Sequence, residues 1–366
     1  MTQIFALAVI VFSLVSTIAL GCTGITVKTV DNDVISARTV EYGEANLHSS
    51  LIVSPRGKKH RSYTPDGEVN GHQWEGKYGY VGISLLNDNF IGEGLNEKGL
   101  NAGLFYFPHY GSLKTYKPEE ADLSIVDMQF VAWILSNFET VEELKKNLDK
   151  INIVNIQYTD DGVPFPTAHW RVADKTGANI VIEIVNNGEM KIYDNKVGVL
   201  TNSPDYEWHI KNLNNYINLY AGNAKDYSEN GQKIFSFGAG TGMLGLPGDI
   251  TPPSRFVKAF FYLNTLKTPE NRAEAVIDSF HILNNFDIPI GLEYSSEHKK
   301  YIPQGLRSAT QWTTASDLSD RVFYYRTMDN GQIRKLDLKK IDFSKIEYKA
   351  LDLDQKKEEN IKELEI

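Results

Sequence analysis

A single cysteine in 366 residues, Cys22, limits how this chain can fold. One thiol cannot close an internal disulfide, and structural zinc sites need several nitrogen or sulfur ligands close together, so the fold must rest on an ordinary apolar core. The position of the cysteine matters as much. Residues 1–21 carry no charged side chain and run through Ile4, Phe5, Leu7, Val9, Ile10, Val11, Phe12, Leu14 and Val15. That length suits the apolar region of an export signal better than a spanning helix. Ala19 and Gly21 supply the small residues that a signal peptidase requires, although Met1-Thr2-Gln3 offers no lysine or arginine. Cleavage after Gly21 would make Cys22 the first residue of a periplasmic or secreted protein. A thiol of pKa about 8.5 and an α-amine of pKa about 7.7 to 8.0 would then share one residue, as nucleophile and base.

A competing reading gives the same cysteine to a lipid-anchored, non-catalytic binding protein, in which thiol and amine are both blocked. Gly21 fits that reading, and Leu20 and Ala19 fit it poorly.

Hydrophobic residues make up 42% of the chain and charged residues 23%, enough for a large core. No repeat or composition break marks a linker, so residues 22–345 read as one domain, followed by a charged tail over 346–366. The net charge of −9 gives the surface no reason to attract nucleic acid. Without a second apolar segment, no stable membrane insertion is expected after processing. The eight histidines show no metal-ligand spacing, His169 and His209 read as structural, and no metal or cofactor is expected. Gly238 to Gly245 resembles a dinucleotide loop, but Pro247-Gly248 breaks the helix that such a loop should open.

Ile25 and Val27 alternate before the turn residues Asp31-Asn32-Asp33, and Val34 to Val40 follows, which predicts a hairpin starting at Cys22. A turn centred on Asn32 sets Arg38 opposite Thr26 and on the same face as Cys22, where its guanidinium favours a thiolate. Glu41 has the opposite parity and reaches Cys22 only if the strand ends or bulges near Tyr42-Gly43. Further strands are predicted at 46–53, 80–86, 90–95, 170–173, 179–185, 189–193 and 197–201, with the clearest turn at Asn186-Asn187-Gly188. Helices are predicted over 121–137, from the capping box Thr140-Val141-Glu142-Glu143, over 254–266, and after Thr268-Pro269. A last hairpin spans Arg321 to Leu336, and the tail from Asp354 reads as a solvated helix or as disordered.

Several stretches together resemble the choloylglycine hydrolase family of N-terminal nucleophile hydrolases, which comprises bile salt hydrolases and penicillin V acylases. They are Cys22-Thr23-Gly24, Ala37-Arg38-Thr39, Asn96-Glu97-Lys98-Gly99-Leu100, Leu200-Thr201-Asn202-Ser203-Pro204, Gly238 to Met243, and Leu246-Pro247-Gly248-Asp249 through Arg255-Phe256. The resemblance implies an α+β fold, a four-layer αββα sandwich, and hydrolysis of a non-peptide amide. It makes Cys22 the nucleophile, Arg38 its neighbouring arginine, Asn202 an oxyanion-hole donor and Arg255 a second site arginine. Glu41 stands where the family usually has aspartate, one methylene shorter. Tyr106 and Thr201 are expected on the substrate side. Tyrosine at 106 resembles the penicillin V acylases, whereas the long span from Asn202 to Arg255 resembles bile salt hydrolases, in which it includes a tetramer-building arm. Conjugated bile salts are therefore the first expected substrate, penicillin V or another acyl amide such as an acyl-homoserine lactone the second, and a homotetramer the expected assembly.

Overall fold

The structure, a computed structural model, describes residues 20–42, 47–156, 167–290, 292, 309–359 and 361–365. Of the predicted leader only Leu20 and Gly21 fall within it, and the proposed break at Gly43 lies outside.

The first hairpin consists of β1 (Leu20–Lys28) and β2 (Val34–Tyr42). Its register pairs Cys22 with Val40, Gly24 with Arg38 and Thr26 with Ser36, so the expected pairing of Arg38 with Thr26 is wrong by two residues. The turn is closed from Thr29 to Asp33, by the Asp33 carbonyl accepting from the Thr29 amide (3.1 Å) and by the Thr29 hydroxyl accepting from the Asp33 amide (3.0 Å). This moves the centre back by one position. A two-residue slip preserves parity, which is why Arg38 still shares a face with Cys22.

Two large antiparallel sheets organise the chain. The first has six strands in the order Val199–Leu200, β1, β2, Ala309–Asp317, Val322–Thr327 and Arg334–Asp337. The second has eight: Glu189–Asp194, Asn179–Val185, Thr167–Asp174, Leu100–Phe107, Asn87–Asn96, Tyr80–Leu85, Ser50–Ser54 and Lys349–Asp352. Each sheet buries one face against the other and the opposite face under helices. α1 (Phe130–Asn137) and α2 (Val141–Lys145) lie on the eight-stranded sheet, and α4 (Pro252–Thr265) and α5 (Arg272–Leu283) on the six-stranded one, with α3 (Tyr206–Asn212) packing on α4. The four layers are those of an αββα sandwich. Gly24 marks a close approach of the two sheets: a Cβ there would sit 2.6 Å from the Phe105 ring and 2.7 Å from an Arg171 nitrogen.

Some elements differ from their predicted extents for local reasons. The helix expected over 121–137 is broken into a 3₁₀ turn (Pro118–Leu123), a short strand (Ser124–Val126) and α1. The β-branched pair Ile125-Val126 runs parallel to Asn152–Val154, and that pairing overrides the helical spacing. Thr140 does cap α2, its hydroxyl accepting from the Glu143 amide. α5 is capped by Asn271, not by Thr268-Pro269, with the Asn271 side chain accepting from the Glu274 amide (3.0 Å). Lys349–Asp352, assigned from sequence to the tail, adds an edge strand on Ser50–Ser54. Among the described residues beyond it there is no helix. No helix among the described residues is long and apolar enough to cross a membrane.

Candidate active site

Cys22 lies where β1 loses its outer partner. The Val199–Leu200 strand pairs only with Ile25 and Gly24, so beyond Gly24 the outward backbone groups of β1 need other partners. The chain leaving that short strand supplies one: the Cys22 amide donates to Asn202 Oδ1 at 2.9 Å. Arg255, from the first turn of α4, donates to the Cys22 carbonyl, to Thr23 Oγ1 (2.9 Å) and through Nη2 to Asn202 Oδ1 (2.7 Å). Its Nε is held by the Ile250 carbonyl at 2.8 Å.

These contacts fix the Asn202 amide. Both neighbours of Oδ1 are donors, and Nδ2 donates to the Tyr106 carbonyl at 2.8 Å. An amide nitrogen carries two hydrogens, so one N–H remains for a further acceptor.

Arg38 faces the gap between the sheets and is fully buried. Its Nη1 donates to the carbonyls of Leu104 (2.6 Å) and Gly92 (3.2 Å) and lies 3.5 Å from Glu93, while the guanidinium carbon sits 3.8 Å over the Phe105 ring. Glu93 is shared with Arg171 at 4.0 Å and accepts from Asn101 Nδ2 at 2.7 Å. Arg171 in turn donates to the carbonyls of Ile25 (2.9 Å) and Ala37 (3.1 Å), tying the eight-stranded sheet to the first hairpin. Burial holds the Glu93 carboxyl above the usual carboxylate range, opposed by Arg38 and Arg171, and it lowers Arg171 to about 10. Glu93, Asn101 and Arg171 were not singled out from sequence; nothing along the chain announces partners on separate sheets.

The thiol of Cys22 is only 4% exposed. Burial raises its pKa, Arg38 and Arg255 pull it down, Glu41 pushes it up, and a backbone hydrogen bond from Tyr106 favours the thiolate. Three buried guanidiniums, of Arg38, Arg171 and Arg255, are matched here by three buried carboxylates, of Glu41, Glu93 and Glu183.

Glu41 is opposite Gly21, on the face away from the thiol, and β2 stays regular to Tyr42. The register shift occurs in its neighbour, between Thr310 and Trp312, and brings the Thr310 hydroxyl to 3.3 Å from Glu41 Oε1. The carboxylate therefore sits beside the residue preceding Cys22. A Cβ on Gly21 would lie 3.0 Å from Glu41 Oε2.

Tyr106 is half-buried, its hydroxyl pushed up to about 12 by burial. Thr201 is fully buried and its hydroxyl donates to the Pro252 carbonyl at 3.1 Å, so its side chain is part of the scaffold under Asn202. His169 and His209, read as structural from sequence, both lie against this loop. The structure thus brings Cys22, Arg38, Asn202, Arg255 and the Tyr106 backbone together and places Glu41 behind them. Among the described residues, no group of three or more histidine, cysteine, aspartate and glutamate side chains could hold a metal ion.

Residues 22–357 match the model of the linear amide C–N hydrolases, choloylglycine hydrolase family. The chain is 33% identical over 323 residues to the bile salt hydrolase/transferase of Clostridium perfringens, covering 87% of this chain and 93% of that one. It is 24% identical to the penicillin V acylase of Pectobacterium atrosepticum, over 96% of this chain and 90% of that one. Its structure superimposes on a crystal structure of a mutant conjugated bile acid hydrolase from Clostridium perfringens with a TM-score of 0.78 and 31% identity, over 94% of this chain and all of that one. With this buried thiol network on an αββα scaffold, the chain belongs to the choloylglycine hydrolase family, enzymes that hydrolyse linear carbon–nitrogen amide bonds.

Proposed function

We propose that the chain is processed before Cys22 and hydrolyses conjugated bile salts. The observation that carries this reading is the 2.9 Å contact between the Cys22 nitrogen and Asn202 Oδ1. In the unprocessed chain that nitrogen is an amide, whose lone pair is delocalised and cannot accept a proton. Removal of residues 1–21 turns it into an amine already held by an acceptor, beside its own sulfur. The family match begins at Cys22, which supports the same boundary.

The amine takes the thiol proton, and the sulfur attacks the amide carbonyl, forming an S–C bond. The remaining Asn202 N–H receives the developing oxyanion; one such donor contributes roughly 2.7 to 4 kcal/mol to lowering the barrier. The C–N bond then breaks, the departing amine takes up the proton, and water attacks the thioester to release the acid and restore the thiol. Arg38 favours the thiolate, Glu41 orients the new amine, and Arg255 holds Asn202 against the Cys22 carbonyl.

Bile salts are the first choice because the more similar relatives carry that activity in their names. A second reading, penicillin V or another acyl amide, is favoured by the residue type at 106, a tyrosine as in the penicillin V acylases, whose backbone carbonyl accepts from Asn202 Nδ2 at the site. We further assign the protein to the periplasm or the exterior and to a homotetramer. Parallel assays on glycocholate, taurocholate and penicillin V decide the substrate. Glycocholate or taurocholate turnover at least tenfold above that of penicillin V is expected, and the reverse order overturns the assignment. In the same assays Cys22→Ser is expected to keep the fold by circular dichroism and lose nearly all turnover.

A further inference from the structure

The carbonyls of Thr201 and Asn202 lie just past the end of the Val199–Leu200 strand, where the sheet no longer provides donors. Both accept from buried imidazoles instead. His169 Nε2 is 3.1 Å from the Thr201 carbonyl, and His209 Nε2 is 2.8 Å from the Asn202 carbonyl. The two rings come from different layers: His169 from the strand Thr167–Asp174 of the eight-stranded sheet, His209 from α3. Each is fixed by stacking, His169 on Phe107 at 4.3 Å and His209 on Phe256 at 4.5 Å, next to Arg255.

They are also linked. Glu183 Oε1 lies 3.1 Å from His169 Nδ1 and accepts from the Tyr206 amide at 2.9 Å, at the start of the helix that carries His209. His209 Nδ1 is buried and has no hydrogen-bond partner among the described residues, so the ring is left with one polar contact, the one to Asn202. Burial lowers this histidine to about 4, which keeps it neutral with the proton on Nε2 at ordinary pH.

We propose that His209, acting with the Glu183–His169 pair, is a positioning residue for the Asn202 amide. A side-chain amide can aim its free N–H at an oxyanion only if its own backbone is fixed. Rotation of the Thr201-Asn202 peptides would carry Oδ1 away from Cys22 and Nδ2 away from Tyr106. The inference rests on the reading of Cys22 as nucleophile, and its test separates the two.

The processed full-length protein and its His209→Leu and His209→Gln variants are compared by steady-state kinetics on glycocholate and by the rate at which iodoacetamide alkylates Cys22. Alkylation forms an S–C bond with loss of iodide and develops no oxyanion, so it reports the thiol without the Asn202 donor. Leucine fills the space without a donor, and glutamine offers an N–H at about the Nε2 position. His209→Leu is expected to lower kcat about 10- to 100-fold, as small misplacements at a reacting centre do, with KM and alkylation within about threefold of wild type. His209→Gln is expected to recover most of the loss. Unchanged kcat in His209→Leu, or equal losses of kcat and alkylation, overturns the proposal. If His209→Leu does not fold, His209→Gln is compared with His209→Asn, whose amide is too short to reach; equal kcat for the two overturns it. A wild-type protein with no alkylation at Cys22 overturns the nucleophile reading itself.

Discussion

Asn202 shows how one side chain can join separate parts of a site, since its amide touches Cys22, Arg255 and the Tyr106 backbone at once. Asp127 shows the opposite case, a buried ionisable group with no catalytic neighbour. Its carboxyl accepts from the Met128 amide at 2.9 Å, and burial raises it to about 7. The folded protein therefore holds a proton that the unfolded chain releases near pH 4, so this group's contribution favours folding at low pH and is lost as pH rises from about 4 to about 7. The loss amounts to about 4 kcal/mol. Urea unfolding at pH 4 and pH 7 checks it: Asp127→Asn should show a smaller fall in stability across that interval than wild type, and identical falls would exclude the effect. Cys22, Arg38, Asn202 and Arg255 were legible because their neighbours in the chain carry the family pattern. Glu93 and Arg171 were not, because they meet Arg38 only through sheet packing over long sequence separations.

At the scale of elements, the period-2 alternation of β1 and β2 was enough to place Arg38 with Cys22 and Glu41 away from it, even though the turn centre was misjudged by one residue. Parity survives such a slip, and register does not. The helix expected over 121–137 failed for a different reason, since only the parallel pairing of Ser124–Val126 with a distant strand decides its conformation. Gly24 tests the packing of the two sheets directly. Gly24→Ala places a methyl group against Phe105 and Arg171, and overpacking of this kind costs about 1–3 kcal/mol. Urea unfolding should show a lower midpoint at unchanged m-value; wild-type stability would mean that the sheets can separate freely there.

For the whole molecule, the segment between Asn202 and Arg255 projects an apolar surface that the fold itself does not cover. Phe235 is 62% exposed, Phe237 89% and Ile217 88%, around a small hairpin of Tyr227–Glu229 and Gln232–Ile234. A patch of this kind marks an interaction surface, and the proposed homotetramer would cover it. Light scattering should find a tetramer for wild type and a smaller species for the Phe235→Ser/Phe237→Ser double variant; a wild-type monomer would contradict the assignment. Every catalytic step proposed above nevertheless begins at one atom, the nitrogen of Cys22. Intact-mass measurement of the protein recovered from its producing cell tests that start most directly. The mass of residues 22–366 with an unmodified amino terminus is predicted, and a chain that retains residue 21, or carries an acyl or diacylglyceryl group on Cys22, would contradict it.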